Sequence, residues 1–503
     1  MIPAAPDGRA FDLAVIGGGT AGIVAARTAA RFGASVLLVE RNRTGGDCLW
    51  TGCVPSKALL AAAHAAAAAR SAARLGVHTG RVRVDFSEVM AHVHAAVAAV
   101  EPDDSPATLE AAGVRVVIGG AELTGPDTLT VDGHPVRFRQ AVVATGAQPK
   151  VPDGLAGVRT WTSETLWGMT EQPKRLLVLG GGPVGCELGQ AFARLGSAVT
   201  LVQRGPRLLP AEDPAAAAAV TDALRADGVD VRLATSVTGV ADGSVMLADG
   251  TTVAVTLSDG TTVAVTLSDG TTVAVTLSDG TTVAVTDVLV AAGRTPRTSG
   301  LGLAARGVEL DRRGFVVVDD TLRTTNPRIW AAGDVTAVSR FTHTAGVHGS
   351  TAASNAVLGL RRKVDDSAVP RVTFTHPEVA AVGRRHGSTV RTVAHTHTDR
   401  AIAEGDTGGF ARLVLDRRGR VVGATVVGPR AGETLAELTL AVRTGVAART
   451  LAATTHPYPT WGDAPWTAAV AQVQNSLDGP VLGRTMRGLT RLRRRRLRRD
   501  GGV

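Results

Sequence analysis

One pattern occurs twice in this chain and limits its fold more than any other feature: an apolar run, a Gly-x-Gly-x-x-Gly turn, a helical stretch and a second apolar run. The first copy extends from FDLAVIGGGTAG to VLLVE and carries Gly17, Gly19 and Gly22; the second, from RLLVLGGGPVGCELGQ to AVTLVQR, carries Gly180, Gly182 and Gly185. Each reads as strand, turn, helix, strand. The glycines admit a tight turn and close backbone approach, and a pyrophosphate can rest on the N-terminus of the helix that follows. Two dinucleotide sites on one chain are therefore expected. Glu40 ends the second strand of the first copy, 23 positions after Gly17, where a carboxylate can bind a ribose hydroxyl pair.

The second copy ends differently, in Gln203-Arg204. A carboxylate there would bind the 2′-hydroxyl of NADH and repel a 2′-phosphate, whereas Arg204 and Arg207 can pair with that phosphate. NADPH is the expected nicotinamide cofactor, with NADH the alternative. Cys186, directly after the last glycine, is expected to be a small buried residue in the helix packing.

With 503 residues the chain needs more than one core, so several domains are expected. From Thr251 to Gly280 the decapeptide TTVAVTLSDG occurs three times, and TTVAVT follows at 281–286. Every copy is a period-2 strand pattern closed by an Asp-Gly signal for a type I′ hairpin turn. Ten is even, so each copy keeps the same side chains on the same face. The repeat is expected to lengthen a lobe without touching the chemistry.

Three cysteines, Cys48, Cys53 and Cys186, cannot build a disulfide scaffold, and the spacing of the first two suits catalysis or metal binding in a reducing compartment. The N-terminus has no basic start with an apolar run and cleavage site, and no uncharged apolar stretch reaches about 18 residues. A cytoplasmic protein is expected. The net charge of +9 is carried by Arg484, Arg487, Arg491, Arg493–Arg496, Arg498 and Arg499, while the rest of the chain is balanced. The high pI thus describes a basic tail and not a basic fold.

The segment GGDCLWTGCVPSK, residues 45–57, closely resembles the active-site segment of class I pyridine nucleotide-disulfide oxidoreductases, the family of glutathione reductase, dihydrolipoyl dehydrogenase and mercuric reductase. The resemblance covers about residues 8–478. It implies FAD in the first dinucleotide site, a redox-active Cys48–Cys53 disulfide, Cys53 as the thiolate beside the flavin and Cys48 as the thiol that meets the substrate. It also implies that Lys57 lies near the flavin, paired with Glu187. ATG at 144–146, with Thr145 and Gly146, and AAGDV at 331–335, with Gly333 and Asp334, resemble two further FAD segments; Gly293 in VLVAAGRTPRT lies at the nicotinamide side. The fold class implied is α/β, with two Rossmann-like domains and an α+β C-terminal dimerisation domain. The expected boundaries are 8–157 (FAD domain, first part), 158–287 (NAD(P) domain with the repeat), 288–365 (FAD and central part), 366–478 (dimerisation) and 479–503 (Arg-rich tail). A homodimer is implied.

The chain departs from the family near its C-terminus. Disulfide-reducing members carry a His followed five residues later by Glu, an acid/base pair for the substrate thiol. In THPYPTWGDAPW those places hold Tyr458 and Asp463, and His456 stands two residues early. Tyrosine there resembles the mercuric-reductase branch, and a phenol with a pKa near 10 is a poor proton acceptor at neutral pH. Mercuric reductases also present a C-terminal cysteine pair, and many an N-terminal Cys-x-x-Cys domain; this sequence has neither, which leaves Cys48 and Cys53 as sulfur ligands.

The expected function is electron transfer from NADPH through FAD and Cys48–Cys53 to a small disulfide, a quinone or a metal ion. Dihydrolipoyl dehydrogenase and mercuric reductase proper are the alternatives within the family. Outside it stands a redox-sensing binding protein tethered by its basic tail to an anionic membrane or nucleic acid. His92 with His94, and His395 with His397, lack accompanying Cys or acidic residues and are expected to be surface residues and not metal ligands. His343, just after AAGDV, is a further candidate for the active site.

Overall fold

The computed structural model of the chain describes residues 10–151, 159–235, 252–256, 262–266, 273–276 and 282–500. Two compact units emerge, one of Met1–Leu208 with Leu224–Asp366, the other of Leu209–Ala223 with Ser367–Val503. The expected boundary at 157/158 lies outside the described residues.

In the first unit, the first glycine copy belongs to a seven-stranded sheet. Phe11–Ile16 pairs in parallel with Val36–Glu40 on one side and with His134–Val143 on the other, and Ile329–Ala331 joins the latter in parallel. The strand Phe11–Ile16 serves two cores, with strict alternation from Leu13 to Ile16. Phe11, Ala14 and Ile16 pack on one face, while Leu13 and Val15 pack on the other, against the helices Thr20–Arg31 and Thr342–Leu358. A strand covered on both faces has no polar side to show, hence the unbroken apolar run of the sequence. The parallel strands all end at the same edge, and there the glycine turn, Glu40, the ATG segment and Gly333-Asp334 gather.

The second copy repeats this construction. Asp230–Leu233, Ala198–Gln203, Arg175–Leu179, Asp287–Val290 and Arg159–Thr162 form a parallel sheet in that order, with Pro183–Leu195 as the helix after the turn. In the second unit the sheet is antiparallel: Arg371–Thr373, Glu378–Gly383, Val421–Gly428, Phe410–Leu415 and Thr389–Ala394. Its core takes in Leu435 and Leu438 from the helix Ala431–Thr444 and Ala464, Ala468 and Ala469 from Asp463–Leu477. The α/β class with two Rossmann-like sheets and a separate α+β unit is thus present. No described helix is long and apolar enough to cross a membrane.

Each decapeptide contributes one strand. Thr252–Thr256 pairs antiparallel with Thr262–Thr266, and Val273–Thr276 with Thr282–Val285; Val253 faces Val265 and Val255 faces Val263. Like residues therefore meet like, because TVAVT reads the same in both directions. The turns at Asp259-Gly260, Asp269-Gly270 and Asp279-Gly280 lie outside the described residues. Because each antiparallel strand reverses the chain, removing residues 261–280 takes out two strands and preserves the direction in which the chain enters Asp287–Val290. Removing 261–270 alone reverses it. The double deletion is expected to keep its flavin and its melting temperature, and the single deletion to lose on the order of 1 kcal/mol or more; flavin fluorescence and thermal unfolding of the two proteins decide this.

Candidate active site

The two glycine turns are built alike. Gly17 and Gly180 have φ of +106° and +114°, a region that L side chains rarely adopt. A Cβ on Gly22 would stand 1.8 Å from the Gly17 carbonyl oxygen, and one on Gly185 at 1.8 Å from that of Gly180. Only bare backbone lets the helix come so close to the strand end. Gly19 and Gly182 cap their helices without a side-chain hydrogen bond, so the first N–H groups stay available to an anion.

The residues that end the second strands also correspond. Glu40 Oε2 accepts from Gly18 N at 2.7 Å, and Gln203 Oε1 accepts from Gly181 N at 2.9 Å. Gln203 therefore does for its turn what Glu40 does for the first, but without the charge. Arg204 is exposed and Arg207 half-buried on the chain that follows. Cys186 is fully buried, its Sγ donating to Gly181 O at 3.6 Å, and burial raises its thiol pKa.

The remaining FAD-side candidates converge on the edge of the first sheet. Thr145 Oγ1 donates to Arg297 O at 2.7 Å, and Arg297 N donates to Gly146 O at 2.9 Å. The Gly293 carbonyl accepts from Lys150 N at 3.0 Å. Gly333 approaches Ala21 so closely that an added Cβ would lie 3.0 Å from the alanine methyl. Asp334, raised in pKa chiefly by burial, lies 3.9 Å from the Arg294 Nε, and that Nε is buried without a hydrogen-bond partner. A buried donor left unsatisfied beside Asp334 fits a polar ligand along this edge, such as the pyrophosphate and sugar chain of FAD.

Cys48 lies in the short helix Gly46–Trp50 and Cys53 opens the helix Cys53–Ser71; both are free thiols. The pair is asymmetric. The Cys48 thiol hydrogen-bonds to Cys53, which raises Cys48 and, with help from Thr342 and Lys57, holds Cys53 down at about 6 against the opposing effects of burial and Glu187. At neutral pH the proton stays on Cys48 and the charge on Cys53. Lys57, one turn along the same helix, meets Glu187 at 3.0 Å, and Glu187 is buried at the start of Pro183–Leu195. This ion pair ties the cysteine helix to the second glycine helix.

Several partners of the site escaped the sequence reading. Thr342 Oγ1 lies 3.2 Å from Cys53 Sγ. Its neighbour His343, the expected candidate, is instead exposed and stacked on Phe341 with ring centres 5.2 Å apart. Asp47, beside Cys48, pairs with Arg294 and, at 3.4 Å, with Arg297, which also holds Glu164 at 2.6 Å. Trp167 Nε1 donates to Thr51 O at 2.9 Å, bracing the loop between the cysteines. Arg294 follows Gly293 directly, so the AAGRTPR segment held a legible hint; Thr342 and Trp167 had none.

In the second unit, Tyr458 and Asp463 are not joined. The Tyr458 hydroxyl donates to Asp399, which raises its pKa because a phenolate would face that carboxylate. Asp463 turns back on its own helix start, accepting from Thr460 N at 3.0 Å and Thr460 Oγ1 at 3.4 Å. Aspartate is one carbon shorter than glutamate and is captured by the N-terminal turn. His456, set aside in the sequence for its register, meets the Glu437 carboxylate at 3.0 Å and Thr454 O at 2.9 Å. The expectation that His395 is a surface residue is corrected: it is fully buried, edge-on to Trp461, because the strand Thr389–Ala394 delivers it into the core. Burial lowers its pKa. Among the described residues no cluster of three His, Cys, Asp or Glu is arranged to hold a metal ion.

Comparison with known proteins matches residues 11–349 to the pyridine nucleotide-disulphide oxidoreductases and residues 369–469 to the dimerisation domain of the same proteins. Mercuric reductase from Streptomyces lividans is 37% identical over 472 residues, covering 90% of this chain and 94% of that protein. Dihydrolipoyl dehydrogenase from Geobacillus stearothermophilus is 33% identical over 469 residues, covering 90% and 94%. Among solved structures, the Cu(II) complex of the HOCl-induced flavoprotein disulfide reductase RclA from Escherichia coli superposes with a TM-score of 0.76 at 25% identity, covering 92% of this chain and 99% of that one.

The charges around Cys53 set opposite expectations for its titration. Cys48→Ala removes the largest stabiliser of the thiolate, and Lys57→Met removes a positive neighbour; both should raise the midpoint from about 6. Glu187→Gln removes a negative neighbour and should lower it. Thiolate ultraviolet absorbance of the reduced protein against pH measures all three, and shifts of one common sign would contradict the assignment.

Proposed function

The chain belongs to the pyridine nucleotide-disulphide oxidoreductases, FAD-dependent enzymes that use NAD(P)H, and within that family we propose that it reduces a thiophilic metal ion with NADPH through Cys48 and Cys53. In this reading FAD is held by Gly17, Gly19, Gly22, Glu40, Thr145, Gly146, Gly333 and Asp334, and when bound it carries electrons from the nicotinamide to sulfur. NADPH lies on Gly180, Gly182, Gly185 and Gly293, with Arg204 and Arg207 toward its 2′-phosphate. The uncharged Gln203 supports this choice, since it serves the turn as Glu40 does without repelling a phosphate.

Two electrons and one proton open the Cys48–Cys53 disulfide to a Cys53 thiolate and a Cys48 thiol, the protonation state favoured by the raised Cys48 and lowered Cys53 pKa. A divalent soft ion bound by both sulfurs then takes the two electrons, the disulfide reforms and the Cys48 proton leaves to solvent. A disulfide acceptor differs, because its two product thiols need one proton more than the pair supplies. The observation that carries the proposal is the Tyr458 hydroxyl engaged with Asp399 and raised in pKa, which makes it a poor proton relay. The Streptomyces relative and the copper complex of RclA lend support.

The FAD region is assigned to 8–157 and 288–365, the nicotinamide region to 158–287, and dimerisation to 366–478, in a cytoplasmic homodimer in which Tyr458 serves the partner's site. The match at 369–469 supports the dimer. A second reading rests on the His456–Glu437 pair, an imidazole with a carboxylate in the same segment, which would suit a lipoamide-type disulfide.

An acceptor series with Hg(II), Cu(II), a quinone, glutathione disulfide and lipoamide separates these readings. NADPH oxidation with a metal ion is expected to exceed that with lipoamide at least tenfold and to vanish in Cys53→Ser. Dominant lipoamide turnover that is lost in His456→Gln and kept in Tyr458→Phe would establish the second reading instead, and no turnover with any acceptor would leave a redox sensor. Arg204→Ala with Arg207→Ala should cut kcat/KM for NADPH roughly 10- to 100-fold and spare NADH, as expected for lost charge-assisted hydrogen bonds.

A further inference from the structure

The helix Pro480–Asp500 has no role in the electron path, yet its composition is the most extreme in the chain. Leu482, Met486, Leu489, Leu492 and Leu497 follow one another at intervals of four, three, three and five, which at about 100° per residue gathers them within roughly 140° of the helix surface. All five are between 40% and 57% exposed. Arg484, Arg487, Arg491, Arg494, Arg495 and Arg498 fall on the opposite side by the same count, while Arg493 and Arg496 fall within the stripe, where a long side chain on a bilayer surface carries its guanidinium back to headgroup level; no Asp or Glu interrupts residues 479–499.

Such a helix is unfavourable in water on two grounds. Its apolar stripe remains wet, and Arg487/Arg491, Arg491/Arg495, Arg494/Arg498 and Arg495/Arg499 set like charges four residues apart, where each pair opposes helix formation. A partner must therefore supply both negative charge and an apolar interior. Nucleic acid offers the first and leaves the leucines in water. A second copy of the helix covers the leucines and doubles the repulsion. An anionic bilayer supplies both, and the helix is too charged to span it.

We propose that Pro480–Asp500 is an interfacial anchor that lies in the plane of an anionic lipid bilayer, leucines toward the acyl chains and arginines toward the headgroups. The test is flotation of the full-length flavoprotein with phosphatidylcholine vesicles, with and without phosphatidylglycerol. The protein should float only with phosphatidylglycerol and come off at high salt. Partition should fall roughly fivefold for each of Arg494→Gln and Arg498→Gln and at least tenfold in Leu489→Gln/Leu492→Gln, with NADPH turnover in solution unchanged. Failure to float at low salt would overturn the proposal. So would flotation that survives Leu489→Gln/Leu492→Gln, or binding to duplex DNA that is tighter than to vesicles and survives that substitution.

Discussion

Everything at the redox centre depends on how closely a helix can approach the end of a strand. In both glycine turns the approach is backbone on backbone, and a single methyl at Gly22 or Gly185 would overlap a carbonyl oxygen. That contact aims the helix N-terminus, with its uncapped N–H groups, at the edge where the parallel strands end. Residues from distant parts of the chain then meet there without long loops, because parallel strands all finish on the same side. Thr145 meets Arg297 and Asp334 meets Arg294 at this edge, and the short antiparallel pair of Arg294–Pro296 with Ala147–Pro149 brings the two arginines to it.

The second constraint is the placement of charge around two sulfurs. A hydrogen bond between Cys48 and Cys53 divides the pair into donor and thiolate, and a salt bridge from Lys57 to Glu187 adds opposed influences that partly cancel. The same salt bridge joins the helix that carries Cys53 to the helix of the second glycine turn. The second glycine turn and the cysteine pair are thus braced by one contact, and Asp47, Arg294, Arg297 and Glu164 brace the other cysteine.

The C-terminal unit illustrates how much a spacing leaves open about contacts. Tyr458 and Asp463 stand at the interval of an acid/base pair, but a side chain shortened by one carbon is captured by Thr460 and the phenol turns to Asp399. Likewise His395 and His397 read as surface polar residues on composition, whereas the strand before them carries His395 into the core against Trp461. For Tyr458 and His395 the deciding partner lies in a different element and leaves no mark in the local sequence, whereas Thr460 stands only three residues before Asp463.

What the sequence alone determined was local and periodic: two strand–turn–helix units with their glycines, the even-period repeat, the paired cysteines and the confinement of net charge to one segment. These follow from backbone sterics, side-chain alternation and counting, all of which act within a few residues. Tertiary structure decided which hydroxyl meets Cys53, which arginines hold Asp47, where Tyr458 sends its proton and that Gln203 substitutes for a carboxylate in its turn. Those contacts depend on the register of strands and the crossing of helices far apart in the chain, and only the folded molecule brings them together.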